Sequence, residues 1–139
     1  MNGNQIHFIL SRDSTTSPFF KGVYASDKIP FIKEKKYAFV VNSDESSEPG
    51  SHWLAFYCEN GCIEFFDSFG NPPDFYDSRF HEITLRYPSV CWNSTPLQNL
   101  TSNVCGMYCI YFILKRCQGN SLYSIVNNLV HCKTNDFRL

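Results

Sequence analysis

One cysteine, Cys105, lies where a polar loop meets a long apolar run, and this position favours a reactive thiolate. Residues 99–103 are polar and poorly suited to a helix, whereas segment 104–114 contains neither a charged residue nor a proline. We expect Ser102 or Asn103 to cap a buried helix that has Cys105 in its first turn. Unpaired backbone N–H groups and the helix dipole at such a position lower the pKa of a thiol.

A nucleophilic cysteine also needs donors for the negative charge that develops on its substrate. Gln98 stands seven residues before Cys105 and can place a neutral amide near the sulfur. With the backbone N–H of Cys105 it would form an oxyanion hole, and losing one such donor typically costs roughly a hundredfold or more in rate.

A predicted β-hairpin supplies candidates for the base. Segments 52–58 and 62–67 are rich in aromatic and β-branched residues, which is typical of strands. Asn60 and Gly61 stand between them, and Asn-Gly is the strongest short signal for a two-residue hairpin turn. We therefore expect a hairpin in which Glu59 pairs with the first residue of the second strand.

This pairing brings a histidine and a carboxylate together at the open end of the hairpin. It sets Leu54 opposite Asp67, so that His52 becomes a diagonal neighbour of Asp67 within reach of a hydrogen bond. A three-residue turn would place Asp67 on the opposite face. We expect the Cys105 helix to pack on the shared face and to complete a nucleophile, base and orienting group. The residues of that face are His52, Leu54, Phe56, Cys58, Ile63, Phe65 and Asp67.

Taken singly, each of these residues has an ordinary structural explanation. A buried cysteine in a helix is usually a small hydrophobic residue. His52 could cap a loop, Asp67 could begin a turn, and Gln98 could be a plain loop amide. The hypothesis rests on their combination. The remaining histidines and the cysteines Cys109, Cys117 and Cys132 are interpreted as structural.

The remaining pattern predicts an α+β fold. A mixed, mostly antiparallel sheet is expected to pack on a buried central helix that carries the nucleophile. Segment 18–24 is aromatic but shows no clear period. The predicted helices are 6–12, 74–86, the Cys105 helix ending near Gly119, and a last one capped by Ser121; the further strands are 37–42 and 88–93.

Composition narrows the class of protein. The 139 residues, 43% hydrophobic and 17% aromatic, predict one globular domain over 1–139. A net charge of −1 gives no general basic field for nucleic acid. No signal peptide or membrane-spanning run is recognisable, and seven cysteines without an export signal indicate free thiols in a reducing compartment. We expect an intracellular monomer without membrane contact.

At these motifs the chain resembles the adenovirus-type cysteine endopeptidases (adenain), relatives of the Ulp/SENP-type proteases of ubiquitin-like proteins. The order His, Asp, Gln, Cys and the Cys-Gly pair both match that superfamily. The resembling blocks are SHWLAF at 51–56, FDSFG at 66–70, Gln98, NVCGMYC at 103–109, and PFFKGVY at 18–24.

The resemblance implies a papain-like, adenain-like core and a role for each site residue. Cys105 would be the nucleophile, His52 its base, Asp67 the group that orients His52, and Gln98 an oxyanion donor. Trp53 would narrow the substrate groove, which favours glycine near the scissile bond because only glycine lets the backbone pass so closely.

The resemblance further implies cleavage of viral or transposon capsid precursors, in the host nucleus or the virion. Such proteases occur in adenoviruses and in Maverick/Polinton-type transposons. No cofactor is required, although a peptide joined by a disulfide, and DNA, activate adenain; Cys91 lies near the cysteine of that disulfide.

Three alternatives remain open. The same residues could serve a Ulp-type protease that removes ubiquitin-like modifiers, or the domain could be an inactive protease used for binding. Cysteine pairs with three residues between them, Cys58 and Cys62 as well as Cys105 and Cys109, leave a zinc module open together with His131 and Cys132, although their spacing is not that of a zinc ribbon or finger.

Overall fold

The computed structural model describes residues 1–48, 52–97 and 104–130. Within these ranges a five-stranded mixed sheet stands between helices. None of the described helices is long and apolar enough to cross a membrane. The elements are α1 (Gly3–Arg12), β1 (Phe20–Tyr24), β2 (Tyr37–Asn42), β3 (Trp53–Glu59), β4 (Cys62–Phe66), a 3-10 helix (Pro73–Phe75), α2 (Ser78–Thr84), β5 (Ser89–Trp92), α3 (Cys105–Cys117) and α4 (Leu122–Val130).

The strands follow one another across the sheet in chain order, β1-β2-β3-β4-β5. The central pairs β2–β3 and β3–β4 are antiparallel, whereas β1–β2 and β4–β5 are parallel. The predicted mixed sheet is thus present. Its two central strand pairs are antiparallel, and they pair more residues than the two parallel pairs at the edges.

The β3–β4 hairpin has the predicted two-residue turn. Asn60 and Gly61 both adopt positive φ, 54° and 77°, as a type I′ turn requires. Glu59 pairs with Cys62, and the ladder continues from there in the predicted register. The orientation of every side chain on the two strands follows from this register, because a one-residue slip would turn each of them to the other face.

Helix α3, which begins at Cys105, packs on the face of the sheet opposite to the predicted one. Ala55, Tyr57 and Phe66 meet α3, and the ring of Phe66 stacks on Phe112 with centroids 4.6 Å apart. The expected seat, which carries Phe56 and its same-face neighbours, is covered instead by Phe80 and Ile83 of α2. The prediction was wrong because the central strands are apolar on both faces, so that their pattern does not tell which face a given helix covers.

Helix boundaries depend on local capping. Asn2 and Gln5 form a capping box that starts α1 at Gly3, earlier than predicted. The helix predicted over 74–86 is divided into the 3-10 helix and a short α2, which Asp77 caps.

The two C-terminal helices begin close to their predicted positions. Ser121 caps α4 by accepting a hydrogen bond from the Ser124 backbone N–H at 3.1 Å. Helix α3 starts at Cys105 with Val104 at the N-cap position, and no side chain caps it there. Ser102 and Asn103, the predicted caps, lie outside the described residues.

Candidate active site

His52 and Asp67 meet at the open end of the β3–β4 hairpin. His52 directly precedes β3 and Asp67 directly follows β4, so the hairpin register alone makes them neighbours. The His52 Nε2 atom lies 2.7 Å from Asp67 Oδ1, and both side chains are buried. The hydrogen bond predicted from the Asn-Gly turn is therefore present.

The Asp67 carboxylate accepts four hydrogen bonds although it is fully buried. Oδ1 accepts from His52 and from the Phe69 backbone N–H at 2.9 Å. Oδ2 accepts from the Tyr76 hydroxyl at 2.5 Å and from the Asn71 backbone N–H at 3.1 Å. Burial alone would raise the pKa of Asp67, but these donors outweigh it and hold the pKa below its usual value. Asp67 is therefore an anion at neutral pH.

The main chain of Asp67 is fixed separately by Asn93, which follows β5. The Asn93 side-chain oxygen accepts from the Asp67 N–H at 3.0 Å, and its side-chain nitrogen donates to the Asp67 carbonyl at 2.5 Å. Asn93 is buried. One amide side chain thus replaces a strand partner at the point where β4 ends.

Cys105 approaches this pair from α3. Helix α3 lies on the other face of the sheet, but its first residue reaches the start of β3. There the Trp53 backbone N–H donates to Cys105 Sγ at 3.5 Å. The thiol also lies close enough to the His52 ring for each group to shift the pKa of the other. Because Asp67 occupies Nε2, the remaining ring nitrogen, Nδ1, is the one available to the sulfur. The structure therefore brings the three residues together in the order Cys105, His52, Asp67, with the histidine in the middle.

The two reactive groups shift each other's protonation. Burial raises the pKa of Cys105, but hydrogen bonds from His52 and the Trp53 N–H outweigh it and lower the pKa below that of an ordinary thiol. Burial likewise disfavours the His52 imidazolium, yet Asp67 and Cys105 stabilise it and raise its pKa to about 9. A thiolate–imidazolium pair is the state that these shifts favour near neutral pH.

The site opens into a groove of about 1620 Å³. Cys105, His52, Trp53 and Tyr76 are among its lining residues. The Phe69 ring stacks on the His52 ring, with centroids 4.3 Å apart and 13° between the planes. A flat contact of this kind restrains the imidazole, so that its two nitrogens stay directed at their partners.

Trp53, predicted to narrow the groove, stands beside Cys105. Its indole N–H donates to the Met1 carbonyl at 3.1 Å, which ties this wall to the start of α1. A side chain at Gly106 would come within 3.4 Å of the Trp53 ring. That distance is an ordinary van der Waals contact, and the Ile6 side chain would be slightly nearer, at 3.3 Å, so the first turn of α3 packs closely against both Trp53 and α1.

Not all of the remaining candidates fall within the described residues. Gln98 lies outside the described residues, as do His131 and Cys132. In the described ranges, no group of three or more His, Cys, Asp or Glu side chains could hold a metal ion. Cys91 is a free thiol in the structure, with its sulfur 3.9 Å from that of Cys62 on the neighbouring strand.

Three residues of the site, Phe69, Tyr76 and Asn93, were not predicted from the sequence to contribute to it. Phe69 belongs to the FDSFG block, but nothing in its type indicated stacking on His52. Tyr76 fell within a predicted helix, and Asn93 ended a predicted strand. Contacts of this kind form when segments that are distant in the chain pack together. In the sequence, only the presence of polar residues beside buried segments could have suggested them.

Comparison with known proteins adds distant similarities. No protein-family model matches the chain. An alignment over 101 residues, which covers 66% of the chain, shows 29% identity to a protein of Acanthamoeba polyphaga mimivirus named "Putative thiol protease R355", of which it covers 33%. Among solved structures, the ASFV pS273R protease is similar over 76% of this chain and 45% of its own, with 23% identity and a TM-score of 0.48. The chain therefore spans about a third of the mimivirus protein and less than half of the ASFV protease.

Proposed function

We propose that this chain is a cysteine endopeptidase. The observation that carries the proposal is the connected set of Cys105, His52 and Asp67 at the wall of an open groove. A lowered thiol pKa beside a histidine that is itself oriented by a buried carboxylate is the arrangement that covalent acyl transfer requires. The similarity to a mimivirus protein named as a thiol protease supports the same class of activity.

In the first half of the proposed reaction the Cys105 thiolate attacks the carbonyl carbon of the scissile peptide bond. A sulfur–carbon bond forms while the carbonyl electron pair moves onto oxygen. The backbone N–H of Cys105, at the start of α3, is one donor for this oxyanion, and Gln98 is proposed as the second on the basis of the family resemblance. The His52 imidazolium then gives its proton to the leaving nitrogen, and the carbon–nitrogen bond breaks.

In the second half the resulting thioester is hydrolysed. Neutral His52 takes a proton from water while the water oxygen adds to the thioester carbonyl. Collapse of this intermediate expels the Cys105 thiolate and releases the acid. The thiolate–imidazolium pair is then restored, with Asp67 keeping the ring in place throughout.

The proposed substrates are proteins cleaved at glycine-containing sites, with viral or transposon capsid precursors as the expected class. Trp53 supports this proposal because an indole beside the nucleophile leaves little room for a substrate side chain. A backbone without a Cβ can pass such a wall most closely. The same catalytic residues would serve an enzyme that removes ubiquitin-like modifiers. Substrate profiling distinguishes that activity from cleavage of capsid precursors.

The experiment compares cleavage of fluorogenic Gly-Gly peptides by the wild type, Cys105→Ala and Cys91→Ser. Cys91→Ser is the matched control, since it removes a more exposed thiol that does not line the groove. We expect Cys105→Ala to fall to background and Cys91→Ser to keep wild-type activity. Undiminished cleavage by Cys105→Ala would remove Cys105 from its proposed role.

Further arms of this experiment address the substrate and the activators. Capsid precursors are offered in parallel with probes that carry the C-terminus of a ubiquitin-like protein. Labelling by the probes without cleavage of the precursors would favour an enzyme that removes ubiquitin-like modifiers. To test for activators, an activating peptide is added to one set of reactions and DNA to another, and neither set contains added metal. A wild-type protein that cleaves nothing in any of these reactions, with Cys105 inert to electrophiles, would indicate a binding module.

A further inference from the structure

Tyr76 contacts the candidate site through its hydroxyl group. It lies between the 3-10 helix and α2, in a segment that the groove touches. Its hydroxyl donates to Asp67 Oδ2 at 2.5 Å and accepts from the Asn71 side-chain nitrogen at 3.2 Å. The Tyr76 ring centroid lies 5.9 Å from that of His52.

The four donors to Asp67 differ in where they come from. The Phe69 and Asn71 backbone N–H groups belong to the loop that follows Asp67, and they therefore move with it. His52 is the group to be oriented. Tyr76 donates from beyond that loop, so its hydroxyl connects the carboxylate to the α2 side of the molecule. A rotation of the carboxylate would break this bond together with the one to His52.

We propose that Tyr76 is a positioning residue, whose hydroxyl keeps Asp67 Oδ2 engaged so that Oδ1 remains aligned with His52 Nε2. This inference rests on the proposed function, because alignment of His52 matters for catalysis only if His52 exchanges protons with Cys105 and the substrate. The chemistry is a charge-assisted hydrogen bond from a neutral phenol to a buried carboxylate.

The titratable groups around Asp67 come from three elements. His52 stands at the start of β3, Tyr76 ahead of α2, and Cys105 and Cys109 on α3. Burial and the neighbouring Asp67 raise the pKa of Tyr76 above the ordinary value, so the phenol stays neutral and remains a donor across the working pH range. The Tyr76 bond in turn lowers the pKa of Asp67.

The test replaces only the hydroxyl, in Tyr76→Phe. We expect kcat to fall roughly tenfold, as befits loss of a hydrogen bond to a charged group, while KM changes less than about twofold. The matched control is Tyr87→Phe, which removes a hydroxyl that bonds to Tyr37 away from the groove. We expect Tyr87→Phe to keep the wild-type kcat even if it lowers the melting temperature.

A second measurement follows the carboxylate itself, by carbon NMR titration of Asp67. We expect its pKa to rise in Tyr76→Phe and to stay unchanged in Tyr87→Phe. A group with a depressed folded-state pKa adds stability above its unfolded pKa and loses it as the pH falls. The stability difference between wild type and Tyr76→Phe should therefore be larger at pH 7 than at pH 3, whereas a merely structural loss would be the same at both.

The outcomes separate this inference from the proposed function. If the wild type cleaves peptides and Tyr76→Phe keeps its kcat and the Asp67 pKa, the positioning role is overturned and the protease stands. If the wild type cleaves nothing, the protease proposal fails, and the NMR titration still decides whether Tyr76 holds Asp67. Asn71→Ala keeps its backbone N–H but removes the donor to Tyr76, and it should produce a smaller change in the same direction.

Discussion

Replacing Asp67 with asparagine tests the orienting carboxylate directly. In the wild type, each carboxylate oxygen receives two donors: His52 and the Phe69 N–H on one, Tyr76 and the Asn71 N–H on the other. An amide offers one oxygen and one NH₂ group. In either orientation of Asp67→Asn the NH₂ group faces a backbone N–H, which is left unsatisfied at a cost of about 1–3 kcal/mol.

The larger effect falls on the ion pair. His52 has a pKa of about 9 beside the carboxylate, so at pH 7.5 nearly all of it is imidazolium. Without the charge of Asp67, burial lowers the His52 pKa and Cys105 still raises it, so we expect about the ordinary value of 6.5, which leaves roughly a tenth protonated at that pH. The pKa of the Cys105 thiol rises as well, because most of the imidazolium that lowers it is lost. The thiolate–imidazolium pair therefore becomes at least about tenfold rarer.

The assay is the pH dependence of kcat/KM on a Gly-Gly peptide between pH 5 and 10. The wild type should give a bell whose acid limb lies below the ordinary thiol pKa and whose alkaline limb lies near 9, because activity needs both thiolate and imidazolium. In Asp67→Asn, kcat/KM at pH 7.5 should fall at least about tenfold, because only roughly a tenth of His52 then carries its proton.

Asp74→Asn is the matched control, since Asp74 is exposed and lies outside the groove lining. It should reproduce the wild-type bell. An Asp67→Asn enzyme whose kcat/KM at pH 7.5 stays within threefold of the wild type would refute the reasoning, since His52 would then owe its protonation to something other than Asp67.

Two further predictions concern the hairpin and its support. Gly61→Ala should lower the free energy of unfolding by about 1–2 kcal/mol, because Gly61 has φ 77° while a Cβ there would make only an ordinary 3.4 Å contact with Pro88; equal denaturation midpoints would show that the turn tolerates a side chain. Asn93→Leu should cost about 1–3 kcal/mol or more, because the buried N–H and carbonyl of Asp67 lose their partner. Chemical denaturation measures this change, and wild-type stability in Asn93→Leu would mean that other groups satisfy Asp67.

Local chemistry made part of the site predictable from the sequence. Asn60 and Gly61 specify a turn type by their preference for positive φ, and a two-residue turn leaves one register for the strands. Because side chains alternate along a strand, that register was sufficient to predict the contact between His52 and Asp67. The position of Cys105 in the first turn of a helix followed from the change from polar to apolar residues.

Other features depend on tertiary packing that the sequence pattern does not encode. Strand β3 is buried on both faces, so the apolar residues could not show whether α3 covers Phe56 or Ala55. The interactions of Tyr76 and Asn93 with Asp67 join segments whose approach depends on how α2 and β5 pack. Each is a single polar contact, and neither leaves a periodic trace in the sequence.

The pH dependence of alkylation at Cys105 tests the central claim most directly, with Cys91 as an internal reference. Iodoacetamide is applied to the wild-type protein, and modification of each cysteine is followed by peptide mass spectrometry. Burial and the neighbouring Cys62 raise the pKa of Cys91, whereas His52 lowers that of Cys105. We predict that the apparent pKa for Cys105 lies below about 8.5 and that for Cys91 above it. An apparent pKa for Cys105 equal to or higher than that for Cys91 would contradict an activated thiolate at this site.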